Sequence, residues 1–156
     1  MTVNPSPLPF VDAKNHSVPL AAMVKRADFL RMNSTRYKHH AAGFVLLARP
    51  RGFESDLPLP SPLPRIGYTA SRKVGGAVER NRAKRRLRAL VAEVMAGRAA
   101  AHWDFVLIAR EVTVTRRWSD LRDDLERGIV KLCSAVNSQD GQPRQVRTRL
   151  ETENDE

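Results

Sequence analysis

The sequence predicts an α+β fold, a small α/β sandwich in which helices pack on a central sheet of about four strands. Apolar residues recur at spacings of three and four within residues 77–96, which is typical of an amphipathic helix. Phe44–Ala48 and Phe105–Ala109 are continuous apolar runs of strand length. Segments of the two kinds are interspersed along the chain, and its 156 residues suffice for one compact domain with tails.

The predicted elements follow in the order α-β-β-α-β-α. They are a helix over about Val24–Met32, a strand within Arg36–Ala48, a strand over Arg65–Ser71, a helix over about Ala77–Ala96, a strand over Phe105–Ala109 and a helix over about Arg117–Cys133. This core is expected to occupy residues 23–135. A flexible N-terminal arm is expected over residues 1–22, and a disordered tail over residues 136–156.

Short patterns predict the first half of the core. Phe29 and Met32 lie three residues apart, and therefore on one side of the first helix. The chain from Arg36 onward is expected to be extended and ends in the apolar run at Ala48. Residues 50–64 contain five prolines, which neither a helix nor a central strand tolerates, so a surface loop is predicted between two strands.

The second half of the core has stronger patterns. The apolar stripe of its first helix consists of Ala83, Leu87, Leu90, Val91 and Val94. Gly97 is well placed to end this helix. The inner face of the last helix is predicted to carry Trp118, Leu121, Leu125 and Leu132.

The positive charge of the chain is concentrated in one segment. The formal net charge is +10, and nine of the 27 basic residues lie between Arg65 and Arg88 with only one of the 17 acidic residues, Glu79. The rest of the chain has 18 basic and 16 acidic residues, a net charge of only +2. A basic cluster on a nearly neutral protein indicates a binding site for a polyanion.

The basic residues occupy the side of the predicted helix that is opposite its apolar stripe. At 100° per residue, Asn81, Arg82, Arg85 and Arg88 lie away from Ala83, whereas Arg80, Lys84 and Arg86 flank the stripe. Like charges three and four residues apart repel each other, which an external anion would offset. Arginine predominates, and its planar guanidinium binds phosphate in bidentate geometry. The loop before the helix adds Arg72, Lys73 and the pair Gly75-Gly76, which permits close approach of a partner.

Three alternative roles fit the basic helix less well than RNA binding does. A solvated surface face normally mixes charges of both signs. A DNA-binding helix of the helix-turn-helix type would need a second helix just before it. A helix on a membrane surface would need bulky aromatic residues opposite its charges. RNA is therefore the expected partner, and a structural RNA-binding protein of ribosomal type is the main alternative.

No catalytic or metal-binding group is predicted in the protein. Cys133 is the only cysteine, which excludes an internal disulfide and a zinc site built on several cysteines, and a small core residue is its expected role. His39 and His40 are adjacent, so in a strand they point to opposite faces and cannot chelate together. No signal peptide and no apolar run of about 20 residues is found, so the cytoplasm is the expected location.

The segment Arg65–Arg88 closely resembles the signature of the bacterial ribonuclease P protein subunit. The resemblance rests on Arg80-Asn81-Arg82, followed by Lys84-Arg85 and Arg88. Weaker similarity extends from about Val24 through Leu132. It includes Asp28-Phe29, Phe44-Val45-Leu46 and the run from Asp104 to Arg110.

This resemblance implies a non-catalytic subunit. In that family a large RNA, with Mg²⁺ held by the RNA, removes the 5′ leader of precursor tRNA, so the isolated protein is expected to be inactive. The expected partners are the catalytic RNA and precursor tRNA, with no membrane and no obligate protein partner. The family fold also includes a left-handed βαβ crossover, against the usual right-handed rule.

The resemblance also suggests where RNA binds. The expected contacts to structured RNA are Arg72, Lys73, Arg80, Asn81, Arg82, Lys84, Arg85, Arg86 and Arg88. The expected cleft for the single-stranded leader consists of Phe29, Phe44, Arg65, Tyr68, Thr69 and Ser71. The aromatic rings among these could stack on bases or pack in the core. Asn33 stands where many relatives have a second aromatic residue, and the proline-rich loop 50–64 is longer than is common.

Overall fold

The computed structural model describes residues 8–10, 20–50, 63–95, 98–100 and 103–141, with side chains as far as residue 136. Its elements are β1 (Ala21–Ala22), α1 (Arg26–Met32), β2 (Tyr37–His40), β3 (Phe44–Pro50), β4 (Arg65–Thr69), α2 (Ala77–Val94), β5 (Trp103–Ala109), a 3₁₀ helix (Glu111–Thr113) and α3 (Trp118–Gly141). The strands form one sheet in the order β1-β4-β5-β3-β2. The predicted α+β class is confirmed, with five described strands instead of about four.

The difference in strand number has two sources. The segment predicted as one strand is an antiparallel hairpin of β2 and β3, in which Tyr37 pairs with Ala48 and His40 with Val45. Its first strand is polar and lies at the edge of the sheet, so it lacks the apolar run of a buried strand. The second source is β1, whose two residues pair in parallel with the start of β4.

The larger core lies between one face of the sheet and the helices α2 and α3. Alternate residues of β3 and β5 point into it, as the period of two in a strand requires. Its members include Phe44, Leu46, Ala48, Phe105 and Leu107 from the sheet, Ala83, Leu87 and Leu90 from α2, and Leu121 and Leu125 from α3. The predicted inner stripes of both helices are therefore confirmed.

A smaller cluster lies on the opposite face of the sheet, under α1. It consists of Met23, Met32, Leu47 and Val106, with Phe29, Val45 and Ile108 packed against it. The sheet thus has one face that two long helices cover and one face that a seven-residue helix partly covers. The second face therefore stays partly open beside Ile108, where a groove lies.

The strands β4 and β5 are parallel neighbours, and α2 connects them. This is the βαβ unit that the family resemblance implied, and it places the carboxyl ends of β4 and β5 beside the loop that enters α2. The hand of the crossover stays a prediction. Among the described helices, none combines the length and the apolar character that crossing a bilayer requires.

The predicted N-terminal arm is wrong at the residues that the structure describes. Phe10 is 5% exposed, and its ring centre lies 5.0 Å from that of Phe105. The N–H of Ala100 donates a hydrogen bond to the carbonyl of Pro9 at 2.8 Å, and Ala21–Ala22 form β1. These residues are part of the fold because apolar contacts and strand pairing hold them. The remainder of residues 1–22 lies outside the described residues.

The predicted C-terminal boundary is also wrong. Helix α3 continues to Gly141 instead of ending near Cys133, and Val136 is only 3% exposed because it packs into the larger core. Residues 136–141 are thus helical, and residues 142–156 lie outside the described residues. Most of the proline-rich loop, residues 51–62, and the helix stop Gly97 also lie outside them.

Candidate RNA-binding surface

A tight turn connects β4 to the start of α2. The N–H of Val74 donates to the carbonyl of Ser71 at 3.0 Å, and that of Gly75 donates to the carbonyl of Arg72 at 3.1 Å. Gly75 has φ 143°, a conformation that a side chain disfavours. The carboxylate of Glu79 accepts from the N–H of Gly76 at 3.0 Å. The loop that carries Arg72 and Lys73 is therefore fixed to the first turn of the basic helix.

Four predicted residues form the outer side of α2, and we call them the basic face: Asn81, Arg82, Arg85 and Arg88. All four are exposed, as are Arg72 and Lys73 in the preceding loop, while Lys84 is half-buried. In the described part of the chain, no carboxylate lies within salt-bridge distance of any of these cations. The basic face therefore keeps its charges available for an external anion.

Several described arginines elsewhere have acidic partners. Arg65 pairs with Asp104 at 2.8 Å, Arg116 with Asp124 at 2.7 Å, and Arg122 with Glu93 at 3.0 Å. Arg98 of the α2–β5 connection pairs with Glu126 at 3.2 Å. The contrast indicates that the cations of the basic face serve a partner outside the chain.

Arg86 differs from the basic face because its guanidinium is bound within the protein, and its role in RNA binding stays a prediction. Its Nη1 donates to the carbonyls of Thr113, Val114 and Arg116 at 2.7, 3.0 and 2.8 Å. Its guanidinium carbon also lies 5.5 Å from the ring centre of Trp118. Arg86 is half-buried and joins α2 to the turn before α3.

Arg80 has an intermediate position at the start of α2. Its Nη1 donates to the carbonyl of Gly75 at 3.0 Å, and the side chain is half-buried. One end of the guanidinium thus stabilises the turn before the helix. Its remaining N–H groups have no partner among the described residues.

Two of the predicted cleft residues lie on the wrong face of the sheet. Phe44 is 0% exposed within the larger core, so the expectation that it contacts a leader is wrong. Tyr68 also faces α2, where the guanidinium of Arg88 lies 5.4 Å from its ring centre. Burial raises the pKa of the Tyr68 hydroxyl to about 12, although nearby Arg88 acts in the opposite direction. Tyr68 supports an arginine and is not available to the opposite face.

Phe29 and Thr69 do lie on the α1 face. The Phe29 ring packs on Gly67, where an added Cβ would overlap ring atoms. Thr69 pairs with Ile108, Ile108 with Val45, and Val45 with His40 across four strands. We call these four residues the open row: His40, Val45, Ile108 and Thr69. His40 is exposed and the other three are half-buried, because α1 covers the preceding rows of the sheet.

Arg65 lies on the same face, but its guanidinium is bound within the protein. It donates to both carboxylate oxygens of Asp104 and to Asp28 of α1. Hydrogen bonding to Asp104 is the main cause that raises the pKa of Arg65. Its expected contact with a leader is therefore corrected to a contact between β4, β5 and α1.

A groove of about 600 Å³ joins the open row to the basic loop. Its lining includes Ser71, Lys73 and Val74 from the loop before α2 and Arg110, Glu111 and Val112 from the chain after β5, with Ile108 shared between groove and row. Ser71 lies just beyond the carboxyl end of β4, where open α/β sheets bind ligands, and its contact with a leader stays a prediction. The lining combines apolar side chains with the charged Lys73, Arg110 and Glu111, which suits a nucleotide.

The sequence did not predict the middle of this surface. Val45, Ile108 and His40 were not assigned to it. The available signal was strand alternation, because Phe44 and Leu107 in the core place Val45 and Ile108 on the other face. His39 lies against Gly128 of α3 while His40 pairs beside Val45, so the prediction that they point to opposite faces is confirmed.

Two further predictions concern cysteine and metal ions. Cys133 is half-buried against the larger core, and burial is the main cause that raises the pKa of its thiol. Within the described ranges, no three His, Cys, Asp or Glu side chains cluster as metal ligands would.

Comparison with known proteins identifies the family. The family profile described as Ribonuclease P matches residues 20–133. The chain is similar to the ribonuclease P protein component of Paramagnetospirillum magneticum, with 45% identity over 106 residues, 68% of this chain and 77% of that one. It is 37% identical to the protein component of Caulobacter vibrioides over 122 residues, 78% of this chain and 77% of that one. The chain belongs to the ribonuclease P protein family.

Solved structures of ribonuclease P proteins share the fold. The Thermotoga maritima protein, in complex with 1-(4-fluorophenyl)-2-thiourea, has 25% identity and a TM-score of 0.52, covering 67% of this chain and 94% of that one. The Staphylococcus aureus protein has 23% identity and a TM-score of 0.52, covering 71% of this chain and 93% of that one. As a ribonuclease P protein, this chain is a subunit of an endoribonuclease of tRNA processing, and the ribosomal-type alternative is not favoured.

Proposed function

We propose that the protein binds the catalytic RNA of ribonuclease P through the basic face and the preceding loop, and binds the 5′ leader of precursor tRNA along the open row. The RNA, with the Mg²⁺ that it holds, carries out hydrolysis. The protein lowers the repulsion between crowded phosphates, which favours assembly and substrate binding. Bacterial precursor tRNA is transcribed in the cytoplasm, so we place this function there.

One observation carries the proposal for structured RNA. The basic face has no carboxylate partner among the described residues, whereas several arginines elsewhere, such as Arg65, Arg116 and Arg122, are paired. Close like charges on one helix weaken its stability unless an anion neutralises them. With six exposed or half-buried cations available, we expect the RNA affinity to fall steeply with salt, by a log–log slope of about −4 to −5.

The geometry of the second face supports the assignment of the leader. The open row crosses four strands, about 14 Å at the usual strand spacing, which corresponds to a few nucleotides. Phe29 borders this row and offers a half-buried ring. From Ile108 of the row, the groove continues to Lys73. An unpaired strand could therefore pass from the basic loop across the sheet.

Reconstitution with the cell's own ribonuclease P RNA tests this function. We expect the purified protein alone to leave precursor tRNA intact. With the RNA, it should permit cleavage at Mg²⁺ concentrations at which the RNA alone is nearly inactive. Robust cleavage by RNA-free protein, or no effect of the protein at low Mg²⁺, would contradict the proposal.

A further inference from the structure

Four residues of alternating charge connect α1 to the sheet, and we call them the α1 clamp: Arg31, Asp28, Arg65 and Asp104. Arg65 Nε and Nη2 donate to the two carboxylate oxygens of Asp104 at 2.9 and 2.8 Å. Arg65 Nη1 donates to Asp28 Oδ2 at 3.0 Å, and Arg31 Nη1 donates to Asp28 Oδ1 at 2.6 Å. Both carboxylates are buried, so solvent screens these ion pairs less than pairs at the surface.

Helix α1 cannot hold its own position. It has seven residues, and isolated helices shorter than about 12 residues are marginal in water. Its N-cap residue, Lys25, makes no side-chain capping hydrogen bond. The position of α1 therefore depends on tertiary contacts, which are the clamp and the packing of Phe29 and Met32.

The fit between α1 and β4 is close. The ring of Phe29 occupies the space that a side chain at residue 67 would need, so only glycine permits this approach. The clamp joins the same two elements through Asp28, the residue before Phe29. A longer distance at the clamp would lift Phe29 from Gly67 and change the border between α1 and the open row.

We propose that Arg65 is a positioning residue, which through Asp28 holds α1 at the distance from the sheet at which Phe29 and the open row together accept an unpaired RNA strand. Arg65 then acts without touching RNA. This role rests on the proposed function for its effect on the leader. The α1 clamp itself depends only on the hydrogen bonds from Arg65 to Asp28 and Asp104 and from Arg31 to Asp28.

The substitution Asp28→Asn in the full chain tests the role, because it removes the charge with almost no change of shape. With the reconstituted holoenzyme, the affinity for precursor tRNA with a long leader is compared with that for a leaderless substrate. We expect the gain in affinity from the leader to fall by about tenfold, since small displacements of a site are costly. Gly67→Ala should act in the same direction, because its Cβ pushes Phe29 away.

A matched control lies on the other side of the sheet. Asp124 is buried and accepts from Arg116 Nε and Nη2 at 2.7 and 3.1 Å, so Asp124→Asn weakens a similar pair. We expect it to lower stability while the gain from the leader stays at the wild-type value. The proposal fails if Asp28→Asn keeps the full gain in affinity from the leader, or if Asp124→Asn loses as much of that gain. Either result would show that Arg65 gives structural support only.

A distance measurement separates the clamp from the proposed function. Spin labels at Leu30→Cys and Val130→Cys, in a Cys133→Ala background, report the distance from α1 to α3, since both positions are exposed. We expect this distance to lengthen or broaden in Asp28→Asn and Gly67→Ala, and an unchanged distribution would overturn the positioning role. If the wild-type enzyme gains nothing from a leader, the leader assignment fails, while the label distances still decide whether the clamp holds α1.

Discussion

The guanidinium carbon of Arg88 lies 5.4 Å from the centre of the Tyr68 ring, which joins the exposed side of α2 to strand β4. Arginine over an aromatic face gains about 0.5–1 kcal/mol at an exposed site. The contact also limits the positions that the Arg88 side chain can adopt. The basic face therefore includes at least one guanidinium that is oriented before RNA arrives.

Replacing Tyr68 tests the value of this orientation. Tyr68→Leu should weaken RNA binding by about twofold to fivefold, because Arg88 loses the ring that holds it. Tyr68→Phe keeps the ring and should bind RNA as the wild type does. Filter binding at fixed salt gives the comparison. A similar loss in both variants would assign the effect to the hydroxyl instead.

The raised pKa of the Tyr68 hydroxyl predicts that the folded protein loses stability at alkaline pH. Its pKa rises from 10.0 to about 12 on folding, so between these values the unfolded chain releases a proton that the folded chain keeps. The contribution of the neutral hydroxyl to the free energy of unfolding is fully present below pH 10. It is lost as the pH rises through about 12. Urea unfolding of the protein alone should show this decline, and Tyr68→Phe should reduce it.

Removing single charges from the basic face should change the salt dependence of RNA binding. Arg85→Ala or Arg88→Ala should weaken binding and reduce the log–log salt slope by about 0.7–0.9 for each lost phosphate contact. Arg122→Ala is the matched control, because Arg122 is an exposed helical arginine that pairs with Glu93. Salt titrations that give equal slopes for all three variants would remove the basic face from the interface.

Arg86 should behave in the opposite way from its neighbour Arg85. Arg86→Ala leaves three carbonyl acceptors without their donor and should lower the free energy of unfolding by about 2–3 kcal/mol. The salt slope of RNA binding should remain at the wild-type value while the protein is folded. Denaturant unfolding and salt titration of the same sample separate the two effects. A lower slope with unchanged stability would return Arg86 to the RNA contacts.

The open row should matter only for substrates with a leader. Thr69→Val and His40→Ala each remove a hydrogen-bonding group from this row, and each should lower the affinity for a long-leader substrate by about twofold to tenfold. Affinity for a leaderless substrate should not change. His39→Ala is a useful comparison, because His39 lies on the face toward α3. Losses that do not depend on leader length would exclude the row from leader binding.

Much of the fold and part of the site could be predicted from local patterns. The apolar stripe and the basic face of α2 both follow from a spacing of about 100° per residue, which any helix of this sequence would show. The apolar run of β5 likewise predicted a buried strand. The sequence did not predict β1 or the separate strand β2, because two residues or a polar edge strand have no clear pattern.

The sequence by itself determined that α2 has one apolar side and one side crowded with cations, since both are set by neighbours within a few turns. Only the tertiary structure decided that Arg86, which flanks the apolar stripe, binds carbonyls 27 to 30 residues away. The tertiary structure likewise brought Arg65 into contact with Asp28, 37 residues before it, and with Asp104, 39 residues after it. The physical reason is that periodicity specifies which way a side chain points, whereas its partner depends on how distant segments pack.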